Sequence, residues 1–503
     1  MASKLLGIDV GTGGTRAVLI DSEGKVVAAR TSEHKPFASP QTGWAEQDPH
    51  DWWRATGEAI RDVMQVSGTK AKDVAAVGFS GQMHGAVLLD GEGNVLRPAL
   101  IWCDQRTADE AAELTAQLGE DKIIGWTCNP ALTNFTLTKL LWVRKHEPHL
   151  FERFRTMLLP KDYVRYRLSG KYGMDMADAS GTLLLDVTNR RWSAEMSKAT
   201  GIAESSLPPL FESPDVCASV SEEGARATGL LQGTPLVAGA GDQAAGAVGL
   251  GIVRPGAVHA TIGTSGVVFA ATDRPALDPK GRLHTFCHAI PGRWHVMGVT
   301  QAAGLSLRWF RDNFGTTSQD ARDPYDRLAD EAWDVPPGCD GVLWAPYLMG
   351  ERTPHLDPQA RAALVGLAAS HTRGHVVRAI MEGVAFSLRD SFSIFEEMKV
   401  PVNTIRLGGG GARSKLWRQI QADVYAHTVQ IVEAEEGAAY GAALLAGVGA
   451  EVWSSVDSAC EVAVRVAQEV QPHAPTVPVM QKQYEAFRRV YPALKAIRGS
   501  QNS

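Results

Sequence analysis

An acid stands immediately before a glycine-rich turn near the start of this chain: IDVGTGGT, with Asp9 ahead of Gly11, Thr12, Gly13 and Gly14. In such a turn backbone N–H groups converge into a nest for phosphate oxygens, and a carboxylate at the strand end could hold a hydrated Mg2+ beside them. A tight β-turn with a structural aspartate uses the same residue types, so this stretch alone leaves both readings open. It is not a P-loop, because no GxxxxGK[ST] occurs, and GTGGTR lacks the last glycine of GxGxxG. TIGTSG, residues 261–266, offers a second nest, and Gly408 to Gly411 in LGGGGARSKLW form a third cluster ahead of a helix. Four consecutive glycines exceed what a turn requires and let a flat base or ribose lie against backbone. Three such turns at strand ends, spread along the chain, favour a nucleotide held between two domains.

Asp242 in GAGDQAAGA opens an alanine- and glycine-rich helix. It either caps that helix or serves as a general base for a hydroxyl, since a helix N-terminus keeps a carboxylate ionised and its small neighbours leave room for a substrate. Phosphoryl transfer asks for little else: positioning, charge neutralisation by Mg2+, and a carboxylate that orients the attacking hydroxyl and accepts its proton. In GFSGQMHGAVLLD, residues 78–90, Met83 and His84 lie between Gly81 and Gly85. Alone, His84 fits a polar turn residue as well as a ligand reader. ALIWCDQRT adds Trp102, Asp104, Gln105 and Arg106, a mixed aromatic and polar set of the kind that binds sugars, and Trp44 is a further candidate wall.

The elements that must position these residues alternate. LLGIDV and RAVLID read as strands flanking the first turn, VAAVGFS as a buried strand, and DPHDWWRATGEAIRDVM as a helix. In that helix Asp48 is the expected N-cap, Pro49 the first helical residue, and Trp52, Ala59, Ile60 and Val63 the buried stripe. Alternation of this kind is an α/β pattern. A faint repeat lays VGTGGTRAVLID, 10–21, over IGTSGVVFAATD, 262–273, which predicts two similar domains meeting near residues 246–256. VMQKQYEAFRRVYPALKAI is expected to form one final amphipathic helix.

With 503 residues the chain exceeds one ordinary core. A hydrophobic share of 44%, a charged share of 21% and a net charge of −6 describe a soluble globular protein and argue against a nucleic-acid binder. The six cysteines are dispersed without a CxxC pair, as expected for free thiols in a reducing cytoplasm. The N-terminal apolar run is too short for a signal peptide. Residues 235–253 are weakly charged, but Asp242 near their centre argues against a membrane span.

In order along the chain, DVGTGGTR, GWAEQDP, SGQMHGAVLLD, WCDQRT, GAGDQAAGAVG, IGTSG and GGGGARSKLW resemble the motifs of the FGGY family of carbohydrate kinases. The resemblance runs from about Gly7 to about Gly447 and includes the family's C-terminal signature, spread over residues 362–383. The N-terminal signature around Lys139 and Trp142 departs at Asn134, where the family favours Gly, Ser, Met or an aromatic. The resemblance implies two actin-like domains of ribonuclease H type around an interdomain catalytic cleft. They would span 1–247 (sugar site and first phosphate turn) and 254–447 (nucleotide site), with 448–503 a helical tail packing on the core.

It makes Asp242 the proton acceptor and Asp9 the acid near Mg2+. Met83 and His84 fall on the pair that contacts sugar in ketose-phosphorylating members, and Gln243 on a neighbour of the catalytic acid that also touches the ketose. Trp102 and Asp104 join them as sugar-binding candidates by residue type. The ATP contacts fall on Thr12, Gly13, Thr264, Gly304, Gly410 and Gly411. Glycerol-phosphorylating relatives share the glutamine but carry Arg-Glu where this chain has Met-His. The expected reaction is phosphorylation of D-xylulose at its 5-hydroxyl by ATP with Mg2+. Ribulose, gluconate or glycerol are alternative acceptors, and a non-enzymatic actin-like ATPase is the alternative from another class. The expected partners are a small sugar and ATP, without nucleic acid or membrane, with homodimerisation left open and a cytoplasmic location.

Overall fold

The computed structural model describes residues 3–315, 322–433 and 436–501. Two seven-stranded sheets carry the chain's two halves. In the first, β1 (Lys4–Val10), β2 (Gly14–Ile20) and β3 (Val26–Glu33) run antiparallel, and β1 continues in parallel to β4 (Val74–Gly81). Beyond β4 lie β5 (Val216–Ser219) and β6 (Pro235–Val237), in the order β5-β6-β4-β1-β2-β3, and the two-residue strand Ala240–Gly241 pairs in parallel with the end of β4 as the seventh. The second sheet holds β7 (Gly256–Ile262), β8 (Gly266–Thr272), β9 (His284–Cys287) and β10 (Trp294–Thr300). It is completed by β11 (Val402–Gly409), β12 (Val429–Val432) and β13 (Val466–Val470), in the order β9-β10-β8-β7-β11-β12-β13.

The strands β3-β2-β1-β4-β6 and β10-β8-β7-β11-β12 have the same neighbours in the same senses. The faint sequence repeat is therefore a repeated supersecondary unit, and the α/β expectation holds. In both units the hairpin turn is the glycine-threonine stretch, closed by Gly11 N–H to Gly14 O and by Gly263 N–H to Ser265 O, each at 3.0 Å.

Helix α1 (Pro49–Ser67) covers the first sheet for the reasons its sequence states: the Asp48 carboxylate accepts the His50 N–H, Pro49 starts the helix, and Trp52, Ala59, Ile60 and Val63 are buried. Helix α2 (Asp242–Gly249) ends the first half; α3 (Gly304–Phe314), α4 (Arg373–Glu397) and α5 (Lys415–Tyr425) serve the second. Helix α6 (Gly437–Gly449) comes late in the chain yet lies on the first sheet. Gly7 and Gly78 are paired across β1 and β4, and a Cβ on either would come within 1.9 Å of a carbonyl oxygen of α6, that of Ala439 or Ala442. A Cβ on Gly441 would likewise stand 1.8 Å from Ala245 O of α2. Backbone-to-backbone packing of α6 thus joins the halves, and a cut at 447 would run through the helix that does so.

The tail differs from expectation. Residues 466–470 add the edge strand β13, and the single predicted terminal helix is two, Val477–Phe487 and Val490–Gln501. Pro492, which lacks an N–H and clashes with the preceding turn, prevents one helix from running through. No helix among the described residues is long and apolar enough to cross a membrane.

Candidate active site

Strand β4 delivers Gln82, Met83 and His84 past its end at Gly81. His84 sits at φ 67°, in the left-handed region, which costs a non-glycine residue about 1–2 kcal/mol. Its surroundings hold it there: the His84 carbonyl accepts from Lys139 Nζ at 2.8 Å and from Thr136 Oγ1 at 3.2 Å. Both donors lie on the helix Thr136–His146, and Lys139 is wholly buried. Nδ1–H of His84 donates to Gly181 O at 2.7 Å, which fixes the tautomer and leaves Nε2 as an acceptor. The ring stands edge-on to Phe135 and Phe286, with centroids at 5.2 and 6.3 Å. Burial, assisted by the Lys139 and Arg352 charges, lowers its pKa to about 3, so the imidazole is neutral. Burial likewise lowers Lys139 to about 7.

Met83 reaches back to the start of α2. A Cβ on Gly241 would meet Met83 Cγ at 2.8 Å and Asp178 Oδ1 at 3.1 Å. Gly241 is the N-cap of α2 and Asp242 its first residue. Asp242 therefore stands one position past the cap, and its half-buried carboxylate lines a cavity. Burial and the nearby Asp9 charge raise its pKa to about 7, partly opposed by Gln243, whose Nε2 donates to Asp242 Oδ1 at 3.3 Å. Asp9 is raised by burial too, and its Oδ1 is buried without a hydrogen-bond partner.

Asp9, Asp242 and Gln243 line a cavity of about 350 Å³ together with Gly408, Gly409 and Arg413. Arg413 also lines a larger cavity of about 500 Å³ bounded by Thr264, Gly304, Gly410 and Gly411. The shared arginine and the continuous glycine run make these two compartments neighbours. The Gly304 N–H donates to Gly263 O at 2.8 Å and Leu305 N–H to Thr264 O at 3.1 Å, so the start of α3 is stitched to the β7–β8 turn.

On the first sheet, Thr12 O accepts from Gln47 Nε2 at 2.7 Å, and Thr12 Oγ1 accepts from Trp102 Nε1 at 2.9 Å. Gln82 Nε2 in turn donates to Gln47 Oε1 at 2.8 Å. A Cβ on Gly13 would meet nothing within 4 Å, so the turn faces open space. Trp102, expected on the sugar, therefore stands beside the first phosphate turn. Asp104 does not reach the cleft: it is fully buried, and its oxygens accept from Ala45 N–H at 2.6 Å and from the Arg106 guanidinium at 2.7 Å. The correction has a plain cause, because the aspartate two residues before an arginine pairs with it. Arg106 then stacks on Trp44 at 3.7 Å, which makes Trp44 part of the same support.

Sequence reasoning gave no role to Lys139 or to the buried cluster in which Lys161 Nζ meets Asp162, Asp175 and Asp178 at 2.7, 2.5 and 3.2 Å. The acids of MDMADAS were visible as a pair three apart, but nothing near them announced the lysine. It also missed Glu351 and Arg352. Glu351, raised to about 8 by burial, accepts the Gln301 N–H at 2.9 Å just ahead of Gly304.

Residues 4–249 match the N-terminal domain and residues 258–450 the C-terminal domain of the FGGY family of carbohydrate kinases. The chain belongs to that family. It is 40% identical to the xylulose kinase of Bacillus subtilis (strain 168), over 97% of this chain and 96% of that protein. It is 39% identical to the xylulose kinase of Escherichia coli (strain K12), over 97% and 99% respectively. The crystal structure of xylulose kinase from Rhodospirillum rubrum superposes with a TM-score of 0.90 at 31% identity, covering 98% of this chain and 99% of that one. The two-domain architecture is that of the FGGY sugar kinases, the actin-like fold expected from the motifs.

Proposed function

We propose that this FGGY kinase transfers the γ-phosphoryl group of ATP to the 5-hydroxyl of D-xylulose. The observation that carries the reading is the junction at Gly241. There Met83, beside the neutral acceptor His84, packs against the residue preceding Asp242, a half-buried aspartate one position past the cap of α2. The xylulose kinase names of its relatives support the same acceptor.

In this reading Asp242 orients the sugar hydroxyl and accepts its proton as the phosphoryl group leaves ATP in line. Gln243 holds the carboxylate and offers its remaining amide hydrogen-bonding capacity to the sugar. His84 Nε2 accepts from a sugar hydroxyl, and Met83 covers an apolar carbon face. Thr12 and Gly13 approach the phosphates from the first domain, while Thr264, Gly304, Gly410 and Gly411 hold the nucleotide from the second. The donor set fits Mg2+, since one or two carboxylates with phosphate oxygens and waters are its usual ligands, and Asp9 offers a buried, unpartnered oxygen. Among the described residues no group of three or more His, Cys, Asp or Glu forms a separate metal cage. When bound, Mg2+ would neutralise charge on the phosphates. Bound sugar and nucleotide would exclude water from the acids, which favours a sugar hydroxyl over hydrolysis.

The test is ADP release across D-xylulose, D-ribulose, D-gluconate and glycerol. D-Xylulose should give the highest kcat/KM. A clear preference for another acceptor would replace the substrate, and ADP release independent of any acceptor would favour the ATPase alternative.

A further inference from the structure

Most arginines placed in this protein's interior have acceptors. Arg106 pairs with Asp104, Arg165 with Asp162, Arg190 with Glu212, and Arg378 with Glu382. Arg352 is different: it is half-buried, and among the described residues its guanidinium has no hydrogen-bond or ion-pair partner. The adjacent Glu351 acts on it through charge but makes no bond to the guanidinium, and Glu351 Oε1 instead accepts the backbone N–H groups of Gln301 and of Arg352 itself, at 2.9 and 2.8 Å.

The backbone around Arg352 is pinned. The Thr353 N–H donates to Val299 O at 3.0 Å on β10, Thr353 Oγ1 accepts the Val299 N–H at 3.1 Å, and the same hydroxyl donates to Arg282 O at 2.7 Å beside β9. These bonds set the strap Glu351–Thr353 across β9 and β10, next to His284. His284 stacks on Phe286 with centroids at 5.4 Å, and Phe286 and Phe135 both stand against His84. The Arg352 charge acts on both His84 and His284, lowering each, so the cation lies within electrostatic reach of both rings. It belongs to the second half of the chain, and His84 to the first.

We infer that Arg352 is a specificity-determining residue that reaches from the second domain to the His84 wall and binds the C1–C2 end of the ketose. The inference rests on the proposed acceptor. With the 5-hydroxyl at Asp242, the far end of the sugar presents a carbonyl oxygen beside a hydroxyl oxygen. Two adjacent acceptors match the guanidinium's fork, which a lysine ammonium cannot reproduce. The two ends of the cleft also differ in sign. Asp9 and Asp242 mark one, and an unpaired cation among neutral imidazoles marks the other. A pentulose would be oriented by that difference.

The experiment compares wild type, Arg352→Ala and Arg352→Lys. It measures the KM for D-xylulose, the Ki of xylitol (the polyol without the carbonyl) as a competitive inhibitor, and the KM for ATP. Loss of a charged, forked hydrogen bond should raise the D-xylulose KM by about 10- to 100-fold in the alanine variant, and less in the lysine variant. The Ki of xylitol should change by less than about threefold, and the KM for ATP should stay unchanged. Equal losses for ketose and polyol, or a KM for ATP that rises with that for the sugar, would overturn the assignment, since a structural or phosphate-binding role predicts those results. A wild-type enzyme that ignores D-xylulose removes the proposed function and this inference together. A wild type that uses it, with unaffected variants, removes only the inference.

Discussion

The two halves of the cleft are built of different material. The proposed sugar side is made of buried side chains, Met83, His84, Phe135 and Lys139, each fixed by another side chain or by a carbonyl. The proposed nucleotide side is made largely of backbone, the turns at Gly263 and at Gly408–Gly411 and the start of α3. The chemistry of the ligands accounts for the contrast. A sugar must be told from other polyols by individually placed acceptors and donors, whereas phosphates and a ribose are satisfied by converging N–H groups and close approach. Deleting side chains should therefore break the first half, and adding atoms should break the second.

The largest effect is expected where the halves meet. Asp242→Asn keeps the shape and removes the proton acceptor, so kcat should fall by about 10²- to 10⁴-fold while ATP still binds, as checked by single-turnover assays and nucleotide titration. Near-normal turnover would take Asp242 out of the chemistry. Next comes deletion on the sugar side. His84→Ala should raise the acceptor KM by about 10- to 100-fold, the worth of one to two hydrogen bonds in a buried site, with the KM for ATP unchanged. Coupled loss of both substrates would mean that the sugar and nucleotide sides are one structure rather than two.

On the nucleotide side the two kinds of change should separate. Thr264→Ala leaves Thr264 O in place to accept the Leu305 N–H, so the KM for ATP should move by less than about threefold. Gly304→Ala would set a Cβ 2.4 Å from Gly263 O and force the turn open. Such overpacking typically costs about 1–3 kcal/mol, so the KM for ATP should rise about 5- to 100-fold with acceptor KM intact. The comparison fails if the threonine deletion is the more damaging change.

The same contrast explains what could be read from the amino-acid order. Glycine turns next to strand ends and an acid opening a helix are contiguous, so Asp9, Thr12, Asp242, Thr264 and the Gly408–Gly411 run stand out locally, and the repeat announced the paired units. The supports of the sugar side are not contiguous. Lys139 lies 55 residues from the carbonyl it holds. The strap bearing Arg352 docks on strands some 50 residues away through Val299 and farther through Arg282. No periodicity encodes such pairings. Asp104 misled for the opposite reason: an acid beside a tryptophan resembles a sugar contact, and only the fold shows that Arg106 and Ala45 already occupy it. The late helix α6 was equally illegible, because Gly7 and Gly78 betray its approach only once β1 and β4 are known to pair.

The smallest effect, and the sharpest on the protonation states, is in the pH profile. Burial and Asp9 raise Asp242 to about 7, so the ionised, proton-accepting form is lost as pH falls through about 7. Burial moves His84 the other way, to about 3, so it stays a neutral acceptor throughout the range where the enzyme can be assayed. The acid limb of kcat/KM for the sugar should therefore have a slope of one, falling about tenfold per pH unit below that point. The Ki of a non-reacting polyol, which touches both Asp242 and His84, should follow the single Asp242 titration near 7 and show no further break between about pH 6.5 and pH 5.5. A slope of two below about pH 6.5 would mean that the imidazole titrates at its ordinary value. In that case the Gly181 carbonyl and the aromatic walls do not fix the tautomer. The sugar side would then be as adaptable as the glycine turns across the cleft.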